Sequence, residues 1–470
     1  MYSIVSRNDL GREWDMAKPE VGQLARELSF FSLISLALSD ITPMASLLVT
    51  AGAVLTIAGS AGFWAFGLGC LIAITVAMCM AELGSMYPTA GGLYNIVHRV
   101  LGRPVGFLAM VDYVCQGIFI PATLALGIGT YLHSLSASIS VNISSAIAMA
   151  IITLLAVLRI HIGAIIISVC LAIEFVVLIT ITGAGLFHWN QPLSIITHPV
   201  VIKNGTFGSV AGAAIVAAIA ASLFSVNGYD SAINFSEEVK GKARNVGRAV
   251  MIAALVGIVF EFLPFTFGLF GTHNLKAYLS SSTPFTDLIT NELGSTAGKV
   301  VTVGALFAIA NATLAITMQF ARVLWSSGRD KAWPNPVNEL LGKVHPKFKS
   351  PWASTIIIGL ISTLFCLKAS LVTSITFTAV LIVILYALIA IASIVSRVKN
   401  KDAERPYKMI LWPLAPIVTI IGVGLTLSQQ KFSDIEIVGS IALVSLVYYF
   451  FYLHRTKHDR WAPHNPATME

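Results

Sequence analysis

Twelve mostly apolar stretches, nearly all long enough to cross a bilayer as a helix, leave this chain no route to a water-soluble fold. A helix rises 1.5 Å per residue, so about 20 apolar residues cross a hydrocarbon core roughly 30 Å thick. The stretches cover residues 28–55, 61–86, 104–133, 138–158, 162–187, 209–238, 247–271, 298–326, 352–367, 371–396, 409–428 and 434–454. Composition agrees, with 56% of the 470 residues hydrophobic and 11% charged, too little polar surface to cover a globule in water. Only helices and closed barrels satisfy their backbone in lipid, and spans of this length are helical. The expected fold class is an all-α membrane protein of about twelve transmembrane helices. The N-terminal twenty residues hold no apolar core ahead of a small-residue cleavage site, so the first span is expected to direct insertion.

The net charge of +7 reads as a topology signal. Twenty-five of the 30 Lys and Arg residues fall in the N-terminal tail, in or beside the connections after even-numbered spans, and in the C-terminal tail. Lys203, Lys276, Lys299, Lys368 and Lys431 make up the opposite side. Basic residues accumulate in cytoplasmic loops, which places both termini in the cytoplasm, in a plasma membrane or bacterial inner membrane. No nucleic-acid partner is needed to explain the surplus. The longest hydrophilic connection, 327–351, is too short for a domain core. The five cysteines are scattered through apolar runs and read as packing residues, with neither a disulfide framework nor a metal spacing. HExxH and GxSxG are both missing, and most histidines lie in loops or tails. An enzyme, a cofactor and a metal are therefore not expected.

Two spans carry helix-breaking sequence near mid-membrane. In LALSDITPMASLL (36–48) Asp40 lies roughly 18 Å along the first span, and Pro43 has no N–H to continue the helix. In the sixth span NGYD (227–230) sets a glycine between polar side chains. Either break alone reads equally as a proline kink or a packing glycine. As a pair in the first and sixth spans they fit a five-plus-five inverted repeat, with the solute held between the breaks.

Four further segments resemble permeases of the amino acid-polyamine-organocation superfamily: AELGSMYPTAGGLY (81–94), NGYDSAINFSEEVKGKARNVGRA (227–249), ARVLWSSGRDKAWP (321–334) and VHPKFKSPWAS (344–354). They occur in the family's order, and the resemblance extends from about Leu24 to Tyr452. It implies a LeuT-type fold: a cytoplasmic tail (1–27), a transport core (28–396) with repeats at 28–187 and 209–396, two additional helices (397–454) and a second cytoplasmic tail (455–470). It also implies a substrate site on unwound backbone at Ser39, Asp40, Ile41 and Thr42 and at Phe224, Ser225, Asn227, Gly228 and Tyr229. Phe224 and Tyr229 are expected to shape the side-chain pocket. One departure stands out: no glycine lies between Gly22 and Gly52, which weakens the expectation of carboxylate recognition at the first break. Asp40 then has two readings. It caps the second half of the broken helix, or it faces the cavity and pairs with an ammonium group.

Asp40, Asp112, Glu174 and Glu261 lie well inside spans, with Glu82, Glu237 and Glu238 nearer the cytoplasmic ends. Intramembrane carboxyls are rare and usually functional, and low dielectric favours their neutral form. Proton coupling is the expectation, with Glu174 as the relay. The resemblance agrees on location, because sodium-independent relatives can place an ionisable group on this helix. Such relatives can use lysine there, which this span lacks. Glu261 reads equally as a residue that satisfies a neighbouring helix. The eighth span offers Asn311, Thr313 and Thr317 but no adjacent Ser/Thr pair for a sodium site. Glu237 and Glu238, beside Lys240, Lys242 and Arg244, are expected to form a gate network. Gly91, Gly92 and Tyr94 are expected in a turn and an amphipathic segment.

The resulting functional expectation is a secondary active transporter that moves an amino acid or related amine by alternating access, coupled to protons. A polyamine or other organic-cation transporter and a solute exchanger are the alternatives. A channel or a transport-inactive sensor on the same fold is the alternative from another class. The expected partners are a small-molecule substrate, the proton and the lipid bilayer.

Overall fold

The computed structural model describes residues 28–89, 91–158, 164–348, 350–455 and 460–462, with backbone alone at 164–169. Both expected tails, apart from 455 and 460–462, lie outside the described residues.

Every expected span holds a helix among the described residues, and the all-α membrane fold is borne out. Eight stretches of the described chain are apolar and long enough to cross a bilayer, and Gly212–Ser225, Trp352–Cys366 and Leu414–Ser428 are shorter apolar helices. The first of the eight, Phe30–Met86, holds two spans, separated by a 3-10 turn at Gly59–Ala61. The third to fifth spans are Arg103–Leu135, Val141–Leu158 and Ala164–Phe187. The seventh and eighth are Arg244–Gly271 and Ser295–Arg329, the tenth is Leu371–Lys399, and the twelfth starts at Phe432 and ends in a π-helix at Tyr449–Leu453. The fourth span shows why lipid is the solvent. Ile143, Ile147, Ile151, Leu154 and Leu158 recur every three or four residues and all lie exposed, an outward apolar stripe that only a bilayer covers.

The first span is interrupted where proline requires it. Phe30–Ile41 ends at Thr42, which takes left-handed dihedrals of φ 48° and ψ 64°. Thr42 N–H still reaches Leu38 O at 3.0 Å. The Ile41 carbonyl beyond it accepts the Ser46 hydroxyl at 2.8 Å. The helix restarts at Pro43, widens into a π-helix at Ser46–Ala51 and continues through Gly52–Ala58. In the sixth span, 226–230 is non-helical between Gly212–Ser225 and Ser231–Asn234. At the basic end the two interrupted spans are tied by backbone. Leu28 N–H donates to Glu238 O and Lys240 N–H to Leu28 O, both at 2.9 Å.

The opposite end carries a small hairpin, Val200–Lys203 with Thr206–Ser209. Its turn is Asn204–Gly205, both at positive φ, the dipeptide that two-residue hairpin turns favour. The hairpin is anchored on Ser60, whose hydroxyl accepts from Val200 N at 2.9 Å and donates to Ile195 O at 2.6 Å.

Candidate functional site

The two interruptions touch. Gly228 has φ 122°, and a Cβ added there would lie 2.7 Å from Ile41 N and 2.8 Å from the carbonyl carbon and oxygen of Asp40. Only a residue without a side chain permits that approach. Beside the contact is a cavity of about 20 Å³, room for roughly one water. Asp40, Ile41, Thr42, Phe224, Asn227 and Gly228 line it, and so do Asp230 and Gln319. A solute the size of an amino acid enters only if the surrounding helices part.

The polar side of the cavity is a connected cluster. With the Gln319 amide oriented by its network, its nitrogen donates to both Asp40 oxygens at 2.8 and 2.7 Å, and its oxygen accepts from Asn234 at 2.7 Å. Asn234 also donates to the Tyr113 hydroxyl at 2.6 Å, which in turn donates to Asp230 Oδ2 at 2.6 Å. Asp40 and Asp230 are 7% and 4% exposed, and Asp40 feels the field of Asp230. Burying two carboxyls in one cluster is costly unless a cation, a proton or several donors meet them.

The remaining residues expected at the site lie around this cavity rather than along its wall. Ser39 is buried outside the lining. Ser225 donates to Glu261 Oε2 at 2.5 Å, so Glu261 joins the seventh span to the end of the first half of the sixth. Tyr229 turns toward the second span, with its hydroxyl 3.4 Å from Ala73 O, and stacks with Tyr386 at 6.4 Å. Tyr386 donates to Asn227 Oδ1 at 2.7 Å. Because Tyr229 does not line the cavity, Tyr229→Phe is expected to change solute affinity by less than about threefold in equilibrium binding.

Glu174 sits at the other side of the first break. The Met44 backbone amide faces its carboxyl. That amide is the first N–H after Pro43, one of the unpaired donors at the start of the helix's second half. On the eighth span, the Thr313 and Thr317 hydroxyls donate to Ile309 O at 2.7 Å and Thr313 O at 2.6 Å, one turn back.

Toward the basic end, Glu238 pairs with Arg322 at 3.7 Å and Glu237 with Arg329 at 3.9 Å. These pairs bridge the sixth span to the eighth, a connection that the adjacent Lys240, Lys242 and Arg244 do not foretell. Tyr94 follows Gly92 at φ 59° and opens the amphipathic helix Leu93–Leu101. It donates to Asp330 Oδ2 at 2.8 Å on the same face. Glu82 accepts from Arg397, from Arg405 Nη1 at 3.2 Å and from Met409 N at 2.9 Å.

Several of these residues went unmarked in the sequence. Asp230 stood in the NGYD break as a flank. Gln319 lies in the same apolar eighth span as Asn311, and its signal was an amide in an apolar helix.

Interrupted helices meeting over a buried polar cavity define a membrane solute carrier, since nonhelical backbone survives at this depth only where protein or a cavity covers it. The chain belongs to the amino acid permease family, which it matches over residues 28–451. It is 26% identical to a methylthioribose transporter of Bacillus subtilis over 94% of this chain and 96% of that one. It is 26% identical to the serine/threonine exchanger SteT of the same organism, over 85% and 90%. It is 24% identical to the low-affinity putrescine importer PlaP of Escherichia coli, over 91% and 93%. The superfamily resemblance is borne out, and the chain is a transporter rather than an enzyme.

Proposed function

We propose that this chain is a secondary active transporter that carries an amine or amino acid by alternating access, driven by protons, with both termini in the cytoplasm of a plasma membrane. The observation that carries the reading is the contact of Gly228 with the Asp40–Ile41 peptide beside a polar cavity. Its small volume supports a closed state that must open to one side at a time. The relatives' names span a thio-sugar, hydroxy amino acids and a diamine at nearly equal identity. The lining, not the identity, therefore has to select the solute.

Glu174 is the proposed relay. Its charged carboxyl holds the amide end of the helix restart, and a proton on it weakens that hold. Protonation and the position of the first span are thereby linked. The lack of an adjacent Ser/Thr pair near the middle of the eighth span favours protons over sodium. The Glu237–Arg329 and Glu238–Arg322 pairs serve as the proposed gate network on the cytoplasmic side.

Purified protein in proteoliposomes tests this. An inward proton gradient in sodium-free buffer is expected to concentrate the solute, which a channel or sensor does not do. Glu174→Gln is expected to lower gradient-driven accumulation by about tenfold while solute counterflow stays within about threefold. Strict dependence on sodium, or unchanged coupling in the variant, contradicts the reading.

A further inference from the structure

We infer that the cavity selects an organic amine that has no carboxylate, with Asp40 and Asp230 together holding its ammonium group. This rests on the reading that the solute binds between the breaks, and it narrows the solute to one class.

The cavity wall carries two carboxyls, both more than nine-tenths buried, and none of its lining residues is Lys, Arg or His. The donors that reach them leave acceptor capacity free. A carboxylate has about four lone-pair positions, and the two groups together receive three contacts from Gln319 and Tyr113, and the Ser231 hydroxyl at Asp40, fewer than they can accept. Two lining hydroxyls add to this acceptor character. Ser46 donates to Ile41 O and Thr50 to Ser46 O at 2.6 Å, so their protons are directed at backbone and their oxygens are what remains to offer. A ligand that fits such a wall brings hydrogen-bond donors and positive charge.

The same geometry argues against a substrate carboxylate. The natural seat for one is the amide end of a half-helix. At the restart after Pro43 that amide is Met44, and it already faces Glu174. A substrate carboxylate would share a buried position with a protein carboxylate, and like charges in low dielectric repel strongly. The other open backbone, around Gly228, is filled by the Asp40–Ile41 peptide. Ile120, Leu124, Ile316 and Phe320 complete the wall and suit the methylene chain of an alkyl amine.

The test uses pairs that differ by one carboxylate: putrescine with ornithine, cadaverine with lysine, and agmatine with arginine. Serine, leucine and methylthioribose are added as carboxylated or neutral controls. Equilibrium binding to the purified full-length protein is expected to favour the amine by at least about tenfold in one or more pairs. Asp230→Asn and Asp40→Asn are expected to lower that affinity at least about tenfold, while Asp230→Glu keeps the preference for the amine. Thermal melting and gel filtration establish that each variant is folded. If ornithine, lysine, arginine, serine or leucine binds as tightly as the amines and loses binding in Gly228→Ala, the inference is overturned and the placement of the site stands. Tight binding of methylthioribose alone, or binding of no amine in the panel, also overturns it. If an amine binds but its affinity ignores Asp40→Asn, Asp230→Asn and Gly228→Ala alike, the placement between the breaks fails as well.

Discussion

Gly228→Ala is expected to lower solute affinity by about a hundredfold, equivalent to about 2.7 kcal/mol, in a protein that still inserts into the membrane. Two effects add. The residue sits at φ 122°, which L side chains rarely adopt. The new methyl also meets backbone of the first span, at 2.7 Å from Ile41 N and 2.8 Å from Asp40 C and O. Backbone cannot swing aside as a side-chain end does, so the breaks must separate by several tenths of an ångström. That movement carries Asp40 away from Asp230. Gly241→Ala is the matched control. It has φ 105°, but its nearest neighbour is Asn245 Nδ2 at 3.4 Å, so it introduces backbone strain with little crowding and should leave affinity within about threefold. Equilibrium binding on both variants checks this, and equal losses in the two would remove the contact between breaks from the explanation.

A second large effect is expected at Glu82, on stability rather than binding. Its carboxylate is fully buried and holds the end of the second span to the end of the tenth and to the connection beyond it. Arg397 Nε donates to Oε1 at 2.7 Å and Arg397 Nη2 donates to Oε2. Arg405, whose side chain is 4% exposed, and the Met409 amide complete the set. Removing one member of a buried ionic cluster strands the charges that remain, typically at a cost of about 3–5 kcal/mol. Glu82→Ala leaves two guanidinium groups facing each other without an anion. The expected result is a clear fall in melting temperature in detergent and a lower yield of monodisperse protein. Glu237→Gln, which loses a pair 3.9 Å apart with a partner 19% exposed, should shift stability by less than about 1 kcal/mol. A melting temperature for Glu82→Ala equal to the parent's would show that the cluster is dispensable.

The spans were legible because lipid imposes one rule on every residue of a crossing helix, and that rule is written in length and hydropathy. The break at Asp40–Pro43 was legible for a similar reason, since proline's missing N–H acts locally. What sequence could not provide was partnership across the fold. Glu82 looked like an acidic residue at a helix end, and its partners lie more than 300 positions away at Arg397 and Arg405. Glu237 and Glu238 were read with their basic neighbours in sequence, whereas helix geometry directs them to Arg329 and Arg322. Tyr229 seemed suited to the pocket by type, but the turn at Gly228 aims it at the second span. The hairpin at Val200–Ser209 was not foreseen even though Asn204–Gly205 is a strong local signal, because strands of four residues carry too few alternations to show a period.

The placement of solute between the breaks is the claim on which the rest depends, and a structure of the purified protein with bound solute tests it most directly. The amine that binds most tightly in the panel would be added at saturation before cryo-electron microscopy. The expected result is ligand density between the first and sixth spans, with its positive group within about 3 Å of the Asp40 and Asp230 carboxyls and its chain against Phe224 and Phe320. Density elsewhere would contradict the account, the clearest case being the larger groove of about 590 Å³ between the third and twelfth spans, lined by Phe107, Val111, Glu436 and Tyr448, with the cavity between the breaks unchanged.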